Sequence, residues 1–329
     1  MMPIDEKIIK FFYKLVARYY LRNLYFEDWL WEKYQKLGTI LRMLFNQMCF
    51  LLKVNLVPFL LSVNIDPVCQ CNRNCKFCRG KYTFPLIKEK ISPELFESIL
   101  RQLPRTVETI QLALFGEPLL YSNIIFLIKL IAKYRFRSIL ITNGTLLTPK
   151  LIDQLLKSPL NVLNISIETD PQNAREMRGI DLKVITETVN TLMESKKKLK
   201  SKLKIQLALV LHGQNYKFLP SFLKQWRGKV DAIKVSPVFY LDRQRQEGLC
   251  SELWRGNINI LPNGWVSACC TDFLCQFIIG DLKKTPVMKI WHGIPLKKLR
   301  ANLLAGRYPK KCQYCSTEEV GNLHRFKLR

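Results

Sequence analysis

Eleven cysteines against three histidines make thiolate chemistry the first candidate in this 329-residue chain and leave little supply for a histidine-based zinc site. Cys71, Cys75 and Cys78 have the spacing C-x3-C-x2-C inside the run Val68–Cys78. Three thiolates this close suit three corners of a cubane iron–sulfur cluster. The fourth iron is then open, and open coordination separates a catalytic metal from a structural one. A zinc knuckle with Cys69 as fourth ligand is the alternative. A second set is Cys250, Cys269, Cys312 and Cys315, a C-x2-C pair with two distant partners. That is a four-thiolate pattern, and zinc and an iron–sulfur cluster suit it equally. Cys270 and Cys275 are left over, either as inert buried thiols or as hydrogen-atom donors. Cys49 and Cys69 read as structural. The start, MMPIDEKIIKFF, has two early acids and no long apolar core, unlike a secretory signal. Reduced thiols in a cytoplasmic compartment are expected.

The first triad needs a strand to carry it and helices to cover that strand. From about 58 to 240 the sequence alternates the two. Strands are expected at Phe59–Ile65, Thr109–Leu114, Ser138–Thr142, Val162–Glu168, Leu203–Leu211 and Val230–Ser236. Ser92 and Thr148, each followed by Pro, open helices as N-caps, and Ser122 is expected to cap Ile124–Tyr134. Helices are also expected at Leu182–Lys197 and Phe218–Trp226. Six strands alternating with helices predict an α/β parallel sheet or open barrel. The triad follows the first strand, at the carboxyl ends where such folds place active sites. After about 241 the alternation stops, a Pro-Asn-Gly turn stands at 262–264, and a smaller metal-stapled unit with a basic tail is expected over 241–329. Residues 1–57 are rich in aromatics and bases at roughly helical spacing. They read as a helical extension packed on the main domain, or as an interfacial helix touching a membrane surface. No 18-residue uncharged apolar run exists. A 48% hydrophobic content excludes a disordered chain, and a formal charge of +26 favours an anionic partner.

The triad, with Phe77 before its last cysteine, resembles the signature of the radical S-adenosylmethionine (radical SAM) superfamily. Supporting segments arrive in order. Phe115-Gly116-Glu117-Pro118 follows the second strand, with Phe115 where Gly is commoner. Thr142-Asn143-Gly144-Thr145 follows the third. Ser166-Ile167-Glu168 ends the fourth, with Glu168 where Asp is commoner, and Arg178-Gly179 follows. The resemblance implies a partial (β/α)6 barrel. It implies that Cys71, Cys75 and Cys78 hold a 4Fe–4S cluster, that Gly116 and Glu117 meet the amino group of S-adenosylmethionine, and that Asn143, Ser166 and Glu168 line its site. Further on, C-x13-G-x4-C, Ile279-Gly280-Asp281-Leu282, Ile290-Trp291 and C-x2-C resemble the short SPASM, or twitch, extension. That implies one auxiliary 4Fe–4S cluster on Cys250, Cys269, Cys312 and Cys315, fully ligated and suited to electron transfer.

The implied chemistry is reductive cleavage of S-adenosylmethionine to a 5′-deoxyadenosyl radical that takes a hydrogen atom from a substrate. Likeness to twitch-bearing dehydrogenases points to oxidation or epimerisation of a small polar, anionic or lipid-linked molecule, with a flavodoxin or ferredoxin as electron donor. A peptide-modifying maturase and an RNA-acting radical SAM enzyme share these cofactors and stand as alternatives. A basic zinc protein binding nucleic acid is the non-enzymatic one. No general acid or base is assigned.

Overall fold

The computed structural model describes residues 36–240, 249–313 and 315–317. The expected aromatic stretch before residue 36 and the last twelve residues of the basic tail lie outside the described residues. Six short apolar segments form the strands β1 (Ser62–Ile65), β2 (Thr109–Leu112), β3 (Arg137–Thr142), β4 (Val162–Ile167), β5 (Lys204–Leu211) and β6 (Ala232–Pro237). They pair in parallel and in sequence order. Parallel neighbours require crossovers. The crossovers carry helices α2 (Pro93–Gln102), α3 (Ile124–Lys133), α4 (Pro149–Lys157), α5 (Leu182–Lys198) and α6 (Leu219–Trp226), preceded by α1 (Leu37–Leu51). This is the partial (β/α)6 barrel.

Strand periodicity divides the sheet into two faces. Val63, Ile65, Ile110, Leu112, Leu163, Ile165 and Leu207 enter the core with the helices. The alternate residues give the other face buried amides. There Asn64 donates to Asn259 (2.7 Å) and Asn164 to Gln206 (2.7 Å). Ser92 and Thr148 cap α2 and α4 through the amides of Leu95 and Leu151. The expected Ser122 cap is displaced by one residue: Asn123 occupies the N-cap of α3 and its side chain makes no capping bond.

The C-terminal region does not form a separate layer. β8 (Asn257–Ile260) runs parallel to β1, with Ser62 opposite Asn257, and β9 (Trp265–Ser267) and β10 (Ile278–Asp281) continue the sheet antiparallel. The order is β10-β9-β8-β1-β2-β3-β4-β5-β6. The turn between β8 and β9 needs Gly264, whose φ is +91°. Three helices follow, α7 (Val287–Trp291), α8 (Ile294–Leu304) and α9 (Lys310–Gln313). A separate two-stranded ribbon pairs β7 (Phe239–Tyr240) with β11 (Ser316–Thr317). Asn46 of α1 is fully buried and exchanges hydrogen bonds with the backbone of Phe59, fastening α1 beside the entry to β1.

Candidate functional site

The cysteine triad leaves the carboxyl end of β1, and the chain there is crowded. Asp66 is completely buried and accepts the amides of Phe115 (3.0 Å) and Gly116 (3.1 Å) and the thiol of Cys69 (3.3 Å). Burial pushes its carboxyl up to about 6 although these bonds oppose the shift. The Glu117 amide donates to the Gln70 carbonyl at 2.7 Å. A Cβ at Gly116 would stand 1.7 Å from the Val68 carbonyl oxygen, so no other residue fits there without moving the loop. Gly80, just past the triad, meets the Phe115 carbonyl in the same way at 2.6 Å. The Phe115–Glu117 segment thus braces both ends of the cysteine loop. Within the loop, backbone amides of Arg73 and Gly80 point at the sulfurs of Cys71 and Cys78, each at 3.4 Å. Burial pushes the Cys71 thiol up to about 11 and raises Cys75, against which the Arg178 charge works. A bound metal inverts that logic by holding its thiols deprotonated.

Glu117 is itself buried. Its Oε1 accepts the Thr142 hydroxyl (2.6 Å) and the Leu119 amide (3.2 Å), and its Oε2 accepts the Asn143 amide (2.7 Å). A carboxylate oxygen has two acceptor positions, so Oε2 keeps one beyond these bonds. Asn143 then reaches back to the cysteine loop. Its Nδ2 donates to Asn72 (2.9 Å) and approaches the Cys71 sulfur (3.8 Å), while its Oδ1 accepts the amide and hydroxyl of Thr145. Asn72 Nδ2 closes the ring by donating to Thr145 Oγ1 at 2.9 Å. Cys71, Gly116, Glu117 and Asn143 are therefore brought together.

Glu168 and Arg178 form a second buried group. Glu168 accepts Arg178 Nε (2.7 Å) and Asn215 Nδ2 (3.1 Å), and His212 Nε2 lies 3.8 Å away. The guanidinium of Arg178 lies 4.8 Å from the centre of the Phe77 ring, within cation–π range. Arg178 ends a π-helical turn, Ala174–Arg178, closed by Gly179 at φ +65°. Lys76 donates its amide to Met177 (2.8 Å) and Arg73 its guanidinium to Gly179 (3.0 Å). The Arg-Gly pair therefore docks the cysteine loop onto the end of β4. Ser166 lies half-buried on β4 opposite Ala208 and is not part of this network.

Sequence reasoning passed over Asp66, His212 and Asn215. The signal for Asp66 was an acid directly after an apolar strand. For the other two it was His-x-x-Asn directly after β5.

The second cysteine set is gathered differently. Cys269 follows β9, and its sulfur lies 3.1 Å from the Thr271 hydroxyl. A hydrogen bond from the Cys270 thiol lowers Cys269, and the same bond together with burial raises Cys270. Buried Asp272 accepts the amides of Gln276 (2.9 Å) and Phe277 (2.8 Å), the Ser267 hydroxyl (2.9 Å) and the ammonium of Lys311 (3.0 Å). Lys311 also lies 4.3 Å from the Phe273 ring centre. It thereby brings α9, which carries Cys312, to the loop after Cys269. Cys315 donates its amide to the Cys312 carbonyl at 3.4 Å, and β11 begins at the next residue. Cys250 is half-buried before β8. Cys275, at φ +52°, packs with Phe273 against the cluster containing Cys69, Phe115 and Leu261, and burial pushes its thiol up to about 11.

Among the described residues, no three His, Cys, Asp or Glu side chains converge as on a single metal ion. An iron–sulfur cluster spreads its protein ligands over several irons, and cysteine-only donor sets of three and four fit such clusters.

The family model for the Radical SAM superfamily matches residues 65–224, and that for the SPASM iron-sulfur cluster-binding domain matches residues 250–316. An AdoMet-dependent heme synthase of Methanosarcina barkeri (strain Fusaro / DSM 804) is 28% identical over 98 residues, 30% of this chain and 28% of the synthase. The S-adenosyl-L-methionine-dependent 2-deoxy-scyllo-inosamine dehydrogenase of Niallia circulans is 22% identical over 264 residues, 78% of this chain and 93% of the dehydrogenase. Among solved structures, BtrN in complex with AdoMet and 2-DOIA superposes with a TM-score of 0.54 at 19% identity, covering 79% of this chain and 94% of BtrN. Streptococcus suis SuiB bound to the precursor peptide SuiA gives 0.56 at 15% identity, covering 84% of this chain and 72% of SuiB. The anSMEcpe enzyme with bound AdoMet gives 0.57 at 15% identity, covering 74% of this chain and 83% of that one. At these identities the structures establish the fold.

Proposed function

The chain belongs to the radical SAM superfamily and carries a C-terminal SPASM domain, and from that premise we propose that it oxidises or epimerises a small polar or lipid-linked molecule by hydrogen-atom abstraction. S-adenosylmethionine and 4Fe–4S clusters are its cofactors. When bound, they supply a hydrogen-atom-abstracting radical at one end and a one-electron acceptor at the other. We take 58–240 as the barrel unit and 241–329 as the auxiliary-cluster unit.

In this reading Cys71, Cys75 and Cys78 hold the first cluster and Cys250, Cys269, Cys312 and Cys315 the second. Glu117 has two tasks. Two hydrogen bonds use it to set the loop at 142–145, a third from the Leu119 amide orients the carboxylate within its own turn, and the free acceptor position on Oε2 receives the amino group of S-adenosylmethionine. Gly116 supplies the close approach that brings this carboxylate beside the cysteine loop. Asn143 holds Asn72 and approaches Cys71, so the loop cannot drift from the cofactor. Ser166 lines the site from β4. Glu168 acts chiefly by neutralising Arg178 under Phe77, and each of its oxygens keeps one acceptor position for a ribose hydroxyl. An alcohol carbon that loses a hydrogen atom must also lose one electron and one proton to become a carbonyl. The cluster that the second cysteine set would hold would take the electron, solvent water the proton, and a flavodoxin or ferredoxin would supply the electron for the first reduction.

The observation that carries this reading is the closed contact of Cys71, Asn72, Asn143, Glu117 and Gly116, which joins three strand ends around an all-cysteine donor set. The test is anaerobic reconstitution followed by iron and 5′-deoxyadenosine analysis. About eight iron atoms per chain are expected, with about four remaining when Cys71, Cys75 and Cys78 are all replaced by Ala. Cys75→Ala alone should abolish 5′-deoxyadenosine formation. Stoichiometric zinc in place of iron would overturn the assignment.

A further inference from the structure

Among the described residues, helix α1 buries one side and leaves the other open. Thr39, Ile40, Asn46 and Cys49 are buried, while Leu41, Phe45, Met48 and Leu52 are exposed at spacings of four, three and four. Those spacings keep them on one helical face. The chain continues through Leu51–Leu56, in which every residue is exposed and four of six are leucine or valine-type apolar side chains. Exposed aliphatic groups in such a contiguous set mark an interaction surface.

The charge around this face has one sign. Between Lys36 and Ile65 the bases are Lys36, Arg42 and Lys53, and there is no acid. Asn55 fastens the segment to helix α8, donating to the Lys297 carbonyl (3.1 Å) and accepting Arg300 Nε (3.1 Å). That places the start of α8 alongside, where Ile294 is 80% exposed and Lys297 and Lys298 are exposed too. From Leu282 to Thr317 the sequence again has no acid.

We propose that the open face of α1, the Leu51–Leu56 segment and the start of α8 together dock on an anionic lipid surface. Aliphatic side chains beside lysines match acyl chains beside anionic headgroups. A second copy of the chain would bring like charges together across this face. A polynucleotide would satisfy the lysines and leave the leucines in water. No described helix is long and apolar enough to cross a membrane, so the contact is interfacial. This surface is argued independently of the reaction at the barrel end.

The test is flotation of the reconstituted full chain with phosphatidylcholine vesicles, with and without about one-third phosphatidylglycerol. Binding should require the anionic lipid and weaken as salt rises. Lys53→Glu with Lys297→Glu and Lys298→Glu should weaken it on the order of a hundredfold, because each surface base contributes about fivefold. Phe45→Ser with Met48→Ser and Leu52→Ser should weaken it about tenfold or more. Iron content and S-adenosylmethionine cleavage at wild-type values identify folded variants. If the serine variant fails that criterion, the charge-reversed one, altered only at exposed lysines, decides. The proposal is overturned if wild type ignores both vesicles or binds both equally. It is overturned if a folded variant floats like wild type. It is overturned if the serine variant instead dissociates a dimer, which would make the face a contact between copies.

Discussion

Each cysteine region is built on one fully buried aspartate, and the two aspartates are treated differently. Asp66, under the first loop, gathers two amides and a thiol. Asp272, beside the second set, gathers two amides, a hydroxyl and the ammonium of Lys311. The difference follows from where the ligands come from. Cys71, Cys75 and Cys78 share one loop already confined by the Val68–Gly116 contact and by Asn143. The carboxylate there only has to align the Phe115–Glu117 segment. The second set is drawn from segments 250, 269 and 312–315, and Lys311 ties α9 to the Cys269 loop through Asp272 and the Phe273 ring. The first site is thus fixed by crowding, the second by an ion pair.

Removing the tie should have the largest effect. Asp272→Ala removes the acceptor of the Gln276 and Phe277 amides and leaves Lys311, only 12% exposed, without its counter-charge. Breaking a buried pair from one side costs about 3–5 kcal/mol. The variant should reconstitute with about four irons rather than about eight, the first cluster surviving. Iron analysis with denaturant unfolding of the same sample checks this. Full iron content would mean the cluster itself, not the ion pair, assembles the second site.

At the first site the matching disturbance is steric. Gly116→Ala places a Cβ 1.7 Å from the Val68 carbonyl oxygen, a backbone atom that cannot swing aside, so the cysteine loop must shift. Affinity for S-adenosylmethionine should fall about tenfold or more, as misplacement near 1 Å is costly in such sites. Gly179→Ala is the control. Unlike Gly116, Gly179 has a positive φ, +65°, and nothing stands within 4 Å, so only the local cost of about 1 kcal/mol is expected. Equilibrium binding of the cofactor to both variants separates crowding from backbone strain. Equal losses would mean that crowding is not what fixes this loop.

Much of the barrel was legible in sequence because strand and helix periods are local. All six parallel strands fall within three residues of where the apolar runs place them, and the Ser92 and Thr148 caps stand as their Pro-containing signatures imply. What local pattern could not supply was pairing at a distance. β8 joins β1 although Asn64 and Asn259 lie 195 residues apart, so the C-terminal strands read as a unit of their own. Helix α8 was missed because Gly293, Pro295 and paired lysines interrupt its apolar spacing. At the site, the motif residues were legible by type, but Arg178 and Asp66 act through partners brought close only by the fold.

The most specific effect concerns Asp66, whose partners are amides and a thiol. Burial raises Asp66 from the usual range near 3.8 to about 6 in the folded chain. Between those values the folded state holds a proton that the unfolded state has released, so stability falls as pH rises through this window. Stability from this group is complete below about 4 and lost above about 6. At about 1.4 kcal/mol per unit, the loss amounts to about 3 kcal/mol by pH 7. Asp66→Asn keeps an oxygen for the Phe115 and Gly116 amides and has no charge to desolvate. Near pH 4, where Asp66 is itself neutral, the variant's stability should differ from wild type by about 1 kcal/mol or less, and it should become the more stable of the two as pH rises, because the fall between pH 4 and 6 flattens. Anaerobic denaturant unfolding of both proteins across that pH range tests this. If Asp66→Asn kept the wild-type slope, burial of this carboxylate would not be what the fold works against there, and the contrast between the two cysteine regions would have to rest on crowding alone.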